Sequence, residues 1–368
     1  MIEDNFKKCK RIWILGDIHF GVRSSNMEWF EITKSYFEDY FIPLLEKEYK
    51  EGDILIQLGD IFENRQIVNL KINSYVVSLF ERLGKILPVI LIAGNHDIYF
   101  KRTNEVTSLD SLRFIPGINV VKDDELIEIG NKSCLLMPWR HSPEHESETL
   151  KKYPNADYVF CHSEMQGVLL NAKVKQEEGT NVSKFKNYKR VYSGHIHFSQ
   201  KIGNVVMVGN AYQMTRSDIG NEKGVYLLDL DTEEHNFYEN SVTPEFRKIN
   251  LQKILDIPLG ELKDLIRNNF NDFYISSEIM IKYNISHLIN LIQDEARSID
   301  PNIYDESTYI DIDNIEDEIQ NGYKNFDVIT LCNNWISKLN IDDEVKDEMK
   351  NKTKQMYTMS TSSYNTEL

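Results

Sequence analysis

Basic residues are in the minority in this 368-residue chain: 42 Lys and Arg stand against 58 Asp and Glu, a formal net charge of −16. That balance argues against a protein that grips nucleic acid with a broad basic face, because phosphate binding draws its strength from Lys and Arg. Long apolar runs are missing as well. No stretch approaches the roughly 18 uninterrupted apolar residues that mark a membrane-crossing helix, so no membrane span is expected. The opening residues, MIEDNFKKCKRIWILGD, carry charge and no apolar run ending in small residues, so no secretory signal is expected. Cysteine is scarce: Cys9, Cys134, Cys161 and Cys332 are scattered without CxxC spacing. They supply neither a disulfide framework nor a thiolate metal site, and they point to a reducing, cytoplasmic setting. No GxxxxGKS/T phosphate loop occurs, so any ATP dependence must come from another chain.

What is present is a core and a pattern. Hydrophobic residues make up 41% of the chain, enough at this length for a large core and two or three domains. Arg11–Leu15 reads as a short apolar strand, residues 27–49 as a helix, 54–58 as a strand, 68–83 as a helix and 86–92 as a strand. Alternation of strand and helix favours a largely parallel sheet. From about residue 118 short apolar runs follow one another with turns between, the texture of a second sheet. Beyond residue 244 the spacing predicts a helix over 251–270, a strand over 273–282 and a helix over 286–298. Two further helices are predicted over 327–339 and 343–356, then a polar tail. Residues 300–318 hold eight acids and no Lys or Arg.

The strand ends carry the chemistry. Asp17-Ile18-His19, then Gly59-Asp60, then Gly94-Asn95-His96-Asp97, then His162, then Gly194-His195-Ile196-His197 each follow an apolar run. Any one of these is ambiguous, since a glycine–aspartate pair after a strand is often only a turn. His235 and His287, in plain strand or helix context, and His141 and His145, in the polar loop RHSPEHESE, read as ordinary core or solvated groups. As a set the five clusters are different. Carboxylate, imidazole and side-chain amide in one series suit manganese, iron or zinc. Open α/β sheets place ligands at the carboxyl ends of their strands.

GDIHFG, GDIFENR, GNHD, the His162 loop and GHIH resemble the signature of the calcineurin-like metallophosphoesterases, over residues 11–230. The resemblance implies an α/β fold of two mixed sheets packed face to face with flanking helices. It implies two divalent metal ions, with manganese expected. Asp17, His19 and His197 would hold one, Asn95, His162 and His195 the other, and Asp60 would bridge them. His96 would protonate the leaving alkoxide or stabilise developing charge. Asp97 either orients His96 through its other ring nitrogen or caps a turn.

Finer features, namely GDIFENR, His162-Ser163-Glu164-Met165 and GNAYQMTR, resemble the nuclease subunit of double-strand-break repair nuclease–ATPase complexes. That implies a nuclease domain over 1–244, a capping domain that recognises DNA over 245–325, and a helical segment over 326–368 that grips the coiled coil of an ATPase partner. It also implies a homodimer formed through helices of the first domain. One departure is Gly209-Asn210-Ala211, where the family usually carries Gly-Ser/Thr-Pro. For substrate phosphates the candidates are Asn64 and Arg65, just past Asp60, and a basic run of Lys184, Lys186, Lys189 and Arg190 leading into GHIH, with Lys101 and Arg102 after GNHD. The alternative for that run is a solvated strand edge. Two rival readings stand beside the nuclease: a free-standing phosphatase or small-molecule phosphodiesterase, and a binding subunit with a residual metal site.

Overall fold

The computed structural model describes residues 6–100, 103–140, 142–250, 257–275, 302–305, 336–337, 342 and 345–353. By contact clustering the chain divides into two units, Met1–Tyr309 and Ile310–Leu368. In the second unit, residues 345–353 are helical, with a Lys352–Glu348 pair one turn apart at 2.9 Å. Of the expected helix over 327–339 only residues 336–337 are described, and they are helical; the helix over 286–298 and nearly all of the acidic stretch lie outside the described residues.

The first unit holds two six-stranded sheets. The first runs in the order His235–Glu239, Gly224–Asp229, Arg11–Leu15, Ile54–Gln57, Val89–Ile92, Ile118–Val121. Its last four strands are parallel, and Gly224–Asp229 joins Arg11–Leu15 antiparallel. The second runs Gln200–Ile202, Val205–Met207, Arg190–Gly194, Tyr158–His162, Lys132–Met137, Glu125–Ile129. Its inner four strands are parallel and its two edges antiparallel.

Strand residues alternate between faces, and here both faces are buried, which is why the strands read as continuous apolar runs. Ile12, Ile14, Ile54, Ile56, Ile90 and Ile92 point into the space between the sheets, where Cys134, Leu136, Tyr158, Phe160, Tyr192 and Val206 meet them. Their neighbours Trp13, Leu15, Leu55, Val89 and Leu91 face the helices. On the outer face of the second sheet Leu135, Val159, Val191 and Met207 form a third cluster.

Helical structure covers 27–48, interrupted by a π-helical stretch at Tyr36–Phe41 that buries Tyr36, Phe37 and Phe41. The helix expected over 68–83 spans Leu70–Ile86, its start fixed by Asn69, whose side chain accepts from the Lys71 and Ile72 amides. It therefore runs into the segment expected to be strand, which begins only at Val89, past Pro88. In the later part, Pro258 precedes a helix at Leu259–Asn268, shorter than expected, and Phe270–Ile275 is a strand between Phe246–Asn250 and Asn302–Asp305. Among the described residues no helix is long and apolar enough to cross a membrane.

Candidate metal centre

Parallel strands bring their carboxyl ends to one rim, and the chain puts its polar clusters there. The GDIH and GDIF loops are zipped together: the Ile18 and His19 amides donate to the Asp60 carbonyl at 3.1 and 2.9 Å, and the Phe20 amide to Ile61 at 2.8 Å. His162, from the second sheet, meets the first through Nδ1 and the Leu58 carbonyl, 2.7 Å apart. A carbonyl only accepts, so Nδ1 carries the hydrogen and Nε2 is free to face the centre.

The side chains then converge. His19 Nε2 and His197 Nε2 are 3.0 Å apart, and each lies near Asp17 Oδ2, at 3.9 and 3.6 Å. Asn95 Oδ1 is 2.9 Å from both His162 Nε2 and His195 Nδ1. Asp60 Oδ2 stands between, 3.7 Å from His19 Nε2 and 3.3 Å from His162 Nε2. Three groups have ligand atoms within 4.8 Å of one another: Asp17, His19 and His197; Asp60, His162 and His195; and His19, Asp60 and His96. All eight clustered residues named from sequence, the seven expected ligands and His96, come together at this rim. Asp17, His19, Asp60 and His162 are buried, while Asn95, His96, His195 and His197 are half-buried, so one side of the cluster faces solvent.

The cluster is held under backbone constraint. His19, Asp60 and His195 have φ of 55, 53 and 76°, a conformation that costs a non-glycine residue about 1–2 kcal/mol. Hydrogen bonds within the cluster offset this: the His96 amide donates to Asp60 Oδ1 at 2.8 Å, and the His195 amide to both Asp17 oxygens at 3.1 Å. Glycines make the room. A Cβ on Gly94 would sit 2.2 Å from Asp60 Oδ1, and one on Gly194 2.5 Å from Asp17 Oδ1.

Electrostatically the centre holds two fully buried carboxylates, and the imidazoles answer them. Burial pushes the Asp17 carboxyl up to about 6, against the pull of His162 and His19. Burial would also raise Asp60, but His162 and His19 hold it well below the usual carboxylate range. Burial works to lower His19 and His162, yet Glu63 with Asp60 lifts the first to about 9, and Asp60 with Asp17 the second to about 9. His195 goes down to about 3 through burial and the neighbouring His162 charge. His197 also goes down. About 35% of its side chain is exposed, but Nε2 is turned inward against His19. A site that draws this much positive charge toward two carboxylates, with imidazole nitrogens and the Asn95 oxygen converging on it, fits divalent cations.

Two neighbours were missed from sequence. Glu63 Oε2 lies 2.7 Å from His19 Nδ1, an ion-pair contact too bent for a straight hydrogen bond, and the Glu63 carbonyl takes His96 Nδ1 at 2.6 Å. The signal in the sequence is its place as the one acid of the FENR stretch, three residues past Asp60. Trp139 packs its ring 4.6 Å from that of His195, and no sequence pattern announced it.

Three expectations need correction or refinement. Asp97 does not reach His96. Its buried carboxylate accepts from the amides of Gly94, Ile61 and Phe62 and from the Ser108 hydroxyl, so it caps the turn and ties the GNHD loop to the GDIF loop. Lys189 and Arg190 lie at the opposite rim: Arg190 opens the strand whose last residue is Gly194, about 13 Å away at strand rise. There Lys189 pairs with Glu233 at 2.5 Å and Asp157 at 3.5 Å. Asn64 and Arg65 are exposed next to Glu63, and the Asn64 side chain caps the Gln66 and Ile67 amides. His235 and His145 find ordinary partners, the Tyr192 hydroxyl and Asp124. Lys101, Arg102, His141 and His287 lie outside the described residues.

Exonuclease subunit 1 of Enterobacteria phage T4 is 27% identical over 238 residues, covering 63% of this chain and 68% of its own. An uncharacterised protein of Acanthamoeba polyphaga mimivirus is 28% identical over 214 residues, 53% of this chain but 15% of that much longer one. Among solved structures, an archaeal phosphodiesterase covers 62% of this chain and 99% of its own at 16% identity and a TM-score of 0.35. The Pseudomonas putida nuclease MPE covers 60% and 84% at 16% identity and a TM-score of 0.28. At those scores neither structure adds to the case. Residues 10–199, more than half the chain and the span of every cluster described above, match the calcineurin-like phosphoesterase family, and the chain belongs to it.

Proposed function

We propose that this protein is a DNA nuclease that hydrolyses phosphodiester bonds with two divalent ions, and that it works with an ATPase partner in DNA break repair or recombination. The observation that carries the reading is the likeness to an exonuclease subunit, in a chain whose residues 10–199, those that build the centre, match a phosphoesterase family. Asp17, His19 and His197 would hold one ion, Asn95, His162 and His195 the other, and Asp60 would serve both. Manganese is the ion we expect. Ions bound there would clamp the scissile phosphate and lower the pKa of an attacking water.

The chain's own groups do the rest. Glu63 fixes His19 from one side and, through its carbonyl, sets the ring of His96. Nδ1 of His96 keeps its hydrogen on that carbonyl, so the proton handed to the leaving oxygen comes from Nε2 of the imidazolium form, which the step returns to the neutral ring. Asp97 keeps the two loops in register. Arg65 and Asn64, exposed beside Glu63, are the side chains we expect to meet the phosphate backbone. The net charge of −16 calls for such local contacts, since a broad basic face is lacking. Residues 1–244 carry the chemistry, 245–325 cap the DNA, and 326–368 bind the ATPase, with a homodimer formed through helices of the first part.

The test is manganese-dependent cleavage of linear double-stranded DNA, beside a small chromogenic phosphodiester, for wild type and His96→Ser. Cleavage of DNA that disappears in the variant while two ions per chain remain supports the assignment. Hydrolysis of the small ester with DNA untouched, even after an ATPase partner is added, replaces it with a free-standing phosphodiesterase.

A further inference from the structure

Between Val205–Met207 and Gly224–Asp229 the chain makes a loop whose side chains reach back to the segment just after GHIH. Asn221 holds Ser199 from both sides, its Oδ1 accepting from the Ser199 amide at 2.8 Å and its Nδ2 donating to the Ser199 carbonyl at 2.9 Å. Lys223 Nζ donates to the His197 carbonyl at 2.7 Å, to Asp218 Oδ1 at 2.7 Å and to Asn221 Oδ1 at 2.9 Å. Three acceptors use up the three hydrogens of the ammonium. Lys223 and Asp218 are only 4% and 2% exposed. Asp218 is anchored in turn, its Oδ2 accepting from the Met214 and Thr215 amides at 2.9 and 3.0 Å.

A buried ion pair is weak evidence for stability, since apolar side chains of similar volume often serve as well. What apolar side chains would not do is hold particular backbone atoms. Residues 195–199 lie between two strands, and 197–199 have no ladder of their own. His162 sits within a strand, and the His195 amide is held by Asp17. His197 depends on this short stretch, and its carbonyl is fixed by Lys223 and, at 3.3 Å, by the Asn210 amide.

We propose that Lys223, with Asn221 and Asp218, is a positioning residue for His197, a clamp that sets how tightly the Asp17–His19–His197 group holds a divalent ion while leaving the Asn95–His162–His195 group alone. This rests on the two-ion reading above, and the measurements separate the two. The variants are Lys223→Gln, and Lys223→Gln combined with Asp218→Asn, which leaves no unpaired buried charge. Asn221→Ala changes no charge and serves if either fails to fold. Hydrogen exchange in chelator reads the clamp without any ion. Exchange at the Ser199 amide should rise at least tenfold, with the amides of Tyr158–His162 unchanged. Manganese titration by calorimetry should then show one site weakened about 10–100-fold, the usual loss when a group supporting a ligand is removed, and the other as in wild type. Unchanged affinity at both sites, or equal loss at both, overturns the proposal. If wild type binds fewer than two ions the two-ion reading falls, and unaltered Ser199 exchange would then remove the clamp as well.

Discussion

Gly94→Ala is the sharpest probe of the centre. Gly94 does not have positive φ, so alanine is allowed by the backbone, and the effect isolates the side chain. The new methyl would stand 2.2 Å from Asp60 Oδ1 and 2.3 Å from the Asp60 amide nitrogen. Non-bonded contacts relax only at about 3.5 Å, so one loop must move by on the order of 1 Å. The amide is backbone and cannot swing aside, so Asp60 moves with it. Overpacking of this kind costs about 1–3 kcal/mol, a few degrees in Tm for a chain of this size. The chemical cost is larger. Ligand distances tolerate about 0.2 Å, and a misplacement of about 1 Å costs roughly a hundredfold in rate. Because Asp60 faces both groups, the two-ion reading has both ions lost together. Metal content after dialysis, manganese-dependent phosphodiester hydrolysis and a thermal melt measure the three effects. Gly260→Ala is the control, in a helix where nothing lies within 4 Å of the added carbon; it should leave metal content and hydrolysis alone and, because alanine favours the helix, raise the melt slightly if at all. If Gly94→Ala kept two ions at wild-type affinity and full activity, the packing argument for this loop would be wrong.

Further outcomes are expected. Glu63→Gln should weaken binding at the Asp17–His19–His197 group by about 10–100-fold in a manganese titration, because the carboxylate that steadies His19 is gone; unchanged affinity would deny Glu63 that role. The His162 pKa of about 9 in the ion-free fold lies above its ordinary 6.5, so this group stabilises fully below about 6.5 and its contribution fades as pH rises through 9. Melts in chelator should fall over that window, and manganese uptake at pH 7 should release protons, seen as heats that depend on the buffer. Heats independent of the buffer contradict it. Trp29 is 2% exposed and stacks on Phe270 and Phe246 at 5.2 and 6.1 Å, so Trp29→Ala should cost about 3–5 kcal/mol in denaturant unfolding. A loss below about 1 kcal/mol would mean that the contact between the helix and the three-stranded sheet is dispensable.

The sandwich and its ligand clusters were legible because strands buried on both faces read as apolar runs, and four of the five runs stop at a glycine with a polar residue beside it, the His162 run being the exception. Distance along the chain was the misleading cue. Lys189 and Arg190 look close to His195 in sequence, but an extended strand separates them, and they sit at the rim where Glu233 waits. The same limit hid Trp139 and Lys223, whose contacts with His195 and His197 join segments that no periodicity links. Asp97 was ambiguous between two short-range roles, and only the amides of Ile61 and Phe62, from another loop, decide between them. The helix over 70–86 outran its expected end because its apolar spacing runs straight into the strand that follows, with Pro88 the one sign of the break.

The strand order has a consequence for how the protein is made. Arg11–Leu15 leaves the ribosome early, yet one of its two neighbours is Gly224–Asp229, among the last strands of the domain. The first sheet therefore stays open on one side until most of the first unit has been synthesised. His19 and His197, which end 3.0 Å apart, are separated by 178 residues. No N-terminal fragment short of His197 holds all seven expected donors, and neither the Asp17–His19–His197 group nor the Asp60–His162–His195 group is complete before residue 195. Loading becomes a final step, taken after the long loops have closed, and the hydrolytic centre arms itself only in molecules that have finished folding.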